Sequence, residues 1–284
     1  QPLALRYHGH QFRSYNPDIG DGRGFLFAQL RDGADRLLDL GTKGSGQTPY
    51  SRFGDGRLTL KGGVREVLAT ALLEAFGVYT SKTFSLIETG EELVRGDEPS
   101  PTRSSVLVRL SHSHLRFGTF QRCLASNDQA GIATLVAHGI RHYHPSAARG
   151  GDVTEEAPAL LAAVVAATGS LVGEWMAAGF VHGVLNTDNM VVTGESFDYG
   201  PWRFLPRYEP GFTAAYFDQT GLYAYGRQPG AVAWNLERFA ECLTLVAPVA
   251  ALEEALKTYS AAFYASLRRA LLLLCPEPRG LSPR

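Results

Sequence analysis

Four side chains able to offer oxygen to a cation or a proton crowd the stretch FVHGVLNTDNMVVTGESFDYG (180–200): Asn186, Asp188, Asn189 and Asp198. They sit on a polar loop behind a long apolar run and on a second turn after the short MVV segment. A strand between two turns brings both turns to one end of a cleft. There, an amide oxygen and a carboxylate are hard ligands suited to one Mg²⁺, or Mn²⁺ in its place, whose other positions go to water and phosphate oxygens. Asn189 and Asp198 make the candidate metal pair. Asp188, next along the chain and free of that duty, can accept a proton from an attacking hydroxyl. Taken singly, each residue is as well explained as a turn or cap former. The set, opened by His182-Gly183 and closed by Tyr199-Gly200, is harder to explain that way.

The same loop has the outline of a phosphotransferase catalytic loop, yet Val184 stands where such a loop carries its aspartate. A second group lies in TKGSGQTPYSRFGDGRLTLKGGVREVL (42–68). Lys43 precedes Gly-Ser-Gly, whose glycines let backbone approach a phosphate. The order is not that of a P-loop, because no G-K-[ST] follows. Glu66, on the next helix, is the natural carboxylate partner for Lys43. Arg23 follows a Gly-Asp-Gly turn, and Arg109 and Arg116 flank LSHSHL; guanidinium forks suit phosphate oxygens. The two H-x-H pairs (His8/His10 and His112/His114) lack an accompanying acid or Cys cluster and read as structural or cleft-lining.

These residues need elements to hold them. GFLFAQL (24–30), RLLDLGT (36–42), KTFSLIE (82–88) and SSVLVRL (104–110) read as strands between Gly, Pro, Asp and Ser punctuation. VREVLATALLEAFG (64–77) puts Val64, Leu68, Leu72 and Phe76 on one helical face, with Gly77 as the stop. Beyond residue 115 the pattern turns helical. One helix is capped by Asn127 and a long one opens on Asp152 with Glu155 three residues on, as in a capping box. TAAYFD (213–218) then reads as a strand, and GAVAWNLERFAECLTLV and ALEEALKTYSAAFYASLRRALLLL as two last helices. The expectation is an α+β fold, with a small β-rich lobe over 1–115 and a mainly helical lobe over 116–284.

Bulk properties narrow the partners. Lys plus Arg is 27 against 28 Asp plus Glu, which predicts no nucleic-acid partner. A hydrophobic fraction of 45% fits a packed core rather than disorder. The uncharged run Ala157–Gly173 reaches only the minimum spanning length and reads as a buried helix, not a membrane segment. Cys123, Cys242 and Cys275 share no metal or disulfide spacing and read as isolated thiols. The chain opens without Met or a charged-then-apolar leader, so it reads as a piece whose start is missing.

Longer motifs then add a resemblance. YHGHQF, NPDIGDGRG, KGSGQTPYSR, GDGR followed by VREVL, RFGTFQR, HGVLNTDNM, DYGPW and QPGAVAWNL, from about residue 3 to about 245, together resemble the selenoprotein O family of pseudokinases. The resemblance implies a protein-kinase-like two-lobed fold that binds ATP in a flipped orientation. It implies transfer of AMP to hydroxyl-bearing side chains of proteins, in the cytoplasm or the mitochondrion. Val184 is then no lesion: Asp188 is the proton acceptor and Asn189 and Asp198 hold the metal. Lys43, paired with Glu66, contacts phosphates, and Arg23, Arg109 and Arg116 line the phosphate site. The two Gly-Asp-Gly-Arg copies contribute Gly20, Gly22, Asp55 and Gly56 to nucleotide binding. Arg13, Phe53 and Lys61 depart from the family pattern, Phe53 adding bulk beside the Gly-rich stretch. Family members are longer, so the sequence reads as a fragment lacking the family's N-terminal start and C-terminal part. The alternatives are a non-catalytic ATP-binding scaffold and a conventional phosphotransferase.

Overall fold

The computed structural model describes residues 2–274; Cys275 and the Pro-rich tail lie outside the described residues. The chain opens with an antiparallel hairpin, β1 (Arg6–Gln11) and β2 (Ser14–Gly20). Its two-residue turn, Phe12–Arg13, has both residues in the left-handed region (φ 50° and 65°), as a primed hairpin turn demands. No apolar alternation announces this hairpin, because RYHGHQ buries Tyr7, His8 and Gly9 in succession.

A five-stranded antiparallel sheet follows, made of β3 (Gly24–Arg31), β4 (Leu37–Lys43), β5 (Leu58–Thr59), β6 (Lys82–Leu93) and β7 (Thr102–Ser111). β7 is its hub, pairing with β4, β5 and β6. Its register sets Lys43 opposite Leu107 and Gly41 opposite Arg109. With a side-chain period of two, Lys43 and Arg109 therefore share one face. The four strands expected before residue 115 are present within a few residues of their expected limits.

α1 (Leu60–Ala75) starts at Thr59, whose hydroxyl accepts from the Gly62 amide (3.1 Å), and Gly77 follows its end. Its orientation corrects the sequence reading. Val64, Leu68, Leu72 and Phe76 face outward, between 39% and 48% exposed, whereas Gly63, Glu66, Ala69, Thr70 and Leu73 are buried. The helix must turn Glu66 towards Lys43, and the opposite stripe then has no choice but to point away.

The remaining helices are α2 (Phe117–Ala125), α3 (Gln129–His142), α4 (Val153–Ala177), α5 (Gln228–Leu243), α6 (Val249–Leu256) and α7 (Tyr259–Leu274). α4 is the core of this part, with Leu160, Leu161, Val164, Val165, Val172 and Trp175 buried. Its uncharged run packs on protein. A Cβ at Gly173 would meet the Leu267 amide at 2.6 Å, so the glycine admits α7 to backbone contact. Several sequence expectations shift here. The α3 cap is Asp128, accepting from Gly131 (2.8 Å), while Asn127 takes a left-handed conformation just before it. Asp152 caps α4 through the Thr154 amide (2.8 Å). The last helical run is two helices, broken at Lys257–Thr258, and 213–218 is irregular rather than a strand. The strands found near it are short, β8 (Phe180–Val181) paired with β9 (Arg203–Phe204). Cys123 and Cys242 are buried free thiols.

Candidate active site

A cavity of about 640 Å³ opens between β3, β4 and β7 on one side and the 182–200 segment on the other. Its wall includes Gly20, Gly22, Arg23, Lys43, Asp55, Gly56, Arg109, Arg116, Asp188 and Asp198, residues nominated from sequence across nearly 180 positions. Two nominees stand off the wall. Glu66 lies behind Lys43 as its ion-pair partner, against a smaller adjoining cavity of about 320 Å³. Asn189 ends a 3₁₀ turn (Thr187–Asn189) and its amide nitrogen donates to the Val184 carbonyl (2.9 Å). Asp55 is on the wall, but Arg95 grips its carboxylate at 2.8 and 3.0 Å.

The 182–200 segment is tied down at both ends. The buried imidazole of His182 bonds the Phe197 carbonyl (3.0 Å), joining the loop to the turn that bears Asp198, and burial lowers its pKa so that it stays neutral. Tyr199 bonds Thr80, and the Ser81 amide donates to Ser196 (3.1 Å). Asp198 itself is left-handed (φ 62°), a conformation costing a non-glycine residue about 1–2 kcal/mol that the surroundings must hold in place.

Those surroundings are cationic. Lys43 Nζ lies 2.6 Å from Asp198 Oδ1, Arg116 reaches Oδ2 at 3.3 Å, and Arg109 stands 3.7 Å away. Burial pulls the Asp198 carboxyl upward, but the three cations together hold it well below the usual carboxylate range. Arg116 also donates to the Asp188 carbonyl (2.6 Å) and lies 3.4 Å from Asp21; both arginines stack over Phe197. Burial opposes the charge on Arg116, and Tyr7, Asp198, Asp21 and Asp188 overcome it, raising its pKa.

Asp188 has a different setting. Burial pushes its carboxyl up to about 6, against the pull of Arg116. Oδ2 lies 3.4 Å from Gln11 Nε2, and Oδ1 has no hydrogen-bond partner among the described residues. Buried N–H groups of Arg109 (Nε, Nη1) and Arg116 (Nε) are likewise unpartnered. Unmet cationic donors beside a cavity are what an anionic ligand fits. Among the described residues no three His, Cys, Asp or Glu side chains cluster as a metal site.

Sequence reasoning missed several wall residues. Asp21 sits inside the repeated Gly-Asp-Gly-Arg motif and was legible as its second position. Gln11, in the quoted YHGHQF motif, carried a weaker signal, whereas His114, read as structural or cleft-lining, is both: it lines the cavity and its ring bonds Asp39 (3.3 Å) and Ser111 (3.1 Å). Nothing marked Arg95. The remaining histidines are structural: His8 bonds Tyr15, His10 bonds Gln121 and His112 bonds the buried Glu195. Phe53 turns its ring wholly to solvent at the cavity rim, so its bulk does not invade the Gly-rich stretch.

Known proteins resemble this chain over nearly all its length. It is 56% identical over 257 residues to the protein nucleotidyltransferase YdiU of Synechocystis sp., covering 90% of this chain and 54% of the relative. The YdiU of Gloeobacter violaceus is 56% identical over 265 residues, covering 92% and 54%. The YdiU of Vibrio cholerae is 38% identical over 282 residues, covering 98% and 56%. The chain thus spans about half the length of the curated relatives it matches. A solved structure of WaaP in complex with acyl carrier protein aligns over 88% of this chain and 87% of that one, at 14% identity and a TM-score of 0.29, too low to carry an argument. The sequence profile described as "Protein adenylyltransferase SelO" matches residues 1–273, and the chain belongs to that family.

Proposed function

We propose that the protein transfers AMP from ATP to Ser, Thr or Tyr hydroxyls of proteins, on a kinase-like scaffold of two lobes (1–115 and 116–284) holding the nucleotide inverted. The observation that carries this reading is the placement of the cavity carboxylates: Asp188 and Asp198 line it, while Val184 offers only a carbonyl to Asn189. Family membership and the names of the relatives support the same class of reaction.

Asp188 is the proton acceptor. A carboxyl titrating at about 6 is ionised near neutrality yet more basic than an ordinary aspartate, a fair match to general-base work. As it takes the hydroxyl proton, the oxygen attacks the α-phosphorus in line and pyrophosphate leaves. The unpartnered Arg109 and Arg116 N–H groups, with Lys43 and the exposed Arg23, face the phosphates and stabilise the growing negative charge. Glu66 and Asp198 fix Lys43 from two sides. Gly20, Gly22 and Gly56 line the nucleotide cavity, where the lack of a side chain lets Tyr50 and the Gly46 backbone pack close and shape its wall, and Asp55 keeps Arg95 at the rim.

A divalent cation fits the donor set. With its nitrogen committed to Val184, the Asn189 amide has its oxygen free of protein partners among the described residues, and Asp198 supplies an ionised carboxylate. Asn189 and Asp198 would hold Mg²⁺ or Mn²⁺, which when bound neutralises phosphate charge. The test compares ATP labelled at the α-phosphate with ATP labelled at the γ-phosphate, in the presence of Mg²⁺ and a mixed protein extract. Protein labelled from the α position alone supports AMP transfer; label from the γ position alone makes the protein a kinase.

A further inference from the structure

The hairpin β1–β2 pairs with no strand of the main sheet; its β1 edge is spent on the loop that carries Asp188. Three consecutive loop residues receive a donor from it. The Phe12 amide donates to Asn186 Oδ1 (3.1 Å), the His10 amide to Thr187 Oγ1 (2.7 Å), and Gln11 Nε2 lies 3.4 Å from Asp188 Oδ2. The first two anchor the loop's flanks: the Thr187 hydroxyl donates in turn to Gln121 Oε1 (2.7 Å), and the Tyr223 hydroxyl also donates to Asn186 Oδ1 (2.8 Å). Gln11 alone reaches the carboxylate. Its other end is set in turn, because Oε1 accepts from Asn16 Nδ2 (3.2 Å) across the hairpin.

Gly9 completes the arrangement by what it lacks. A Cβ there would stand 3.0 Å from Asp188 Oδ1, 3.2 Å from its Cβ and 2.9 Å from the tip of Ile19. The Gly9 backbone needs no left-handed conformation, so the constraint is one of space. Any side chain at position 9 pushes on the carboxylate.

We infer that Gln11 is a positioning residue for the Asp188 carboxylate, oriented by Asn16, and that Gly9 vacates the volume this carboxylate occupies. The inference rests on the adenylyltransferase reading for its rate predictions and on the hairpin contacts for its geometry. Without Gln11 the carboxylate has, among the described residues, no side-chain donor to fix its rotation, and an acceptor displaced by about 1 Å loses on the order of a hundredfold in rate.

The test uses Gln11→Leu, which keeps the shape and removes the donor, with Gly9→Ala and Asn16→Ala beside it. AMP transfer from α-labelled ATP, the KM for ATP and the melting temperature are measured for each. The expected result for Gln11→Leu is a kcat at least tenfold lower, with KM within twofold and the melting temperature unchanged. Gly9→Ala shows a larger loss of kcat and Asn16→Ala a smaller one. An unchanged kcat in Gln11→Leu overturns the inference, and so does a fall in kcat matched by a fall in melting temperature and a rise in KM, the signature of a merely structural hairpin. If the wild-type protein transfers no AMP, the reaction assignment fails by itself, and the crystal structure of Gln11→Leu then decides. A rotated Asp188 carboxylate upholds the inference and an unmoved one ends it.

Discussion

Asp188 is buried and Asp198 half-buried; they stand on one segment and line the same cavity, yet their surroundings drive them in opposite directions. Asp198 meets Lys43, Arg109 and Arg116 and remains firmly ionised. Asp188 meets two uncharged hairpin residues, Gln11 and Gly9, with the Arg116 charge beyond its backbone, and burial pushes its carboxyl up to about 6. Two carboxylates pushed apart in this way divide the labour of a site: one stays charged and binds, the other exchanges a proton. The cationic region is therefore built to hold charge, and the hairpin region to withhold solvent from it.

Substitutions at the two acids test this contrast most severely. Asp198→Ala should abolish label transfer, on the order of a thousandfold or more. It should also destabilise the fold by roughly 3 kcal/mol, because three buried cations lose a shared counter-charge. Thermal melts and α-label transfer on the same sample check both. Asp188→Asn should cost about a hundredfold or more in transfer, as loss of a general base does. Its melting temperature should nevertheless not fall, since the change removes a desolvated charge; a drop equal to that of Asp198→Ala would break the comparison.

A milder perturbation is pH. The Asp188 carboxyl is raised, so its basic form is lost as pH falls through about 6, and the transfer rate should drop about tenfold per unit below that point. Asp198, held low, stays ionised throughout that window. A rate flat from pH 7 to 5 would show that Asp188 does not act as the base. The smallest effect belongs to Phe53, whose ring packs on nothing: Phe53→Ala should leave the stability within about 0.5 kcal/mol, read from a denaturant melt.

Legibility followed the length of each pattern. The strands β3, β4, β6 and β7 showed in their apolar runs and turn residues, and the strand spacing was enough to put Lys43 and Arg109 on one face once β4 and β7 paired. The hairpin escaped notice because it buries Tyr7, His8 and Gly9 in succession rather than in alternation, and is held by hydrogen bonds to a loop more than 170 positions away. α1 was recognised as a helix but its direction was not. Periodicity finds an apolar stripe, and here the buried side is the one bearing Glu66.

The amino-acid sequence by itself determined the chemical inventory: the two acids and the amide, the lysine and its glutamate, the arginines, the glycine turns and the family to which they belong. Local interactions suffice for that, since strands, caps and motifs are written in neighbouring residues. Only the tertiary structure decided which acid is charged, which helix face is inside and which hairpin touches Asp188. Protonation and orientation depend on burial and on charges brought close by the fold, and those distances are set by packing between segments that no local pattern links.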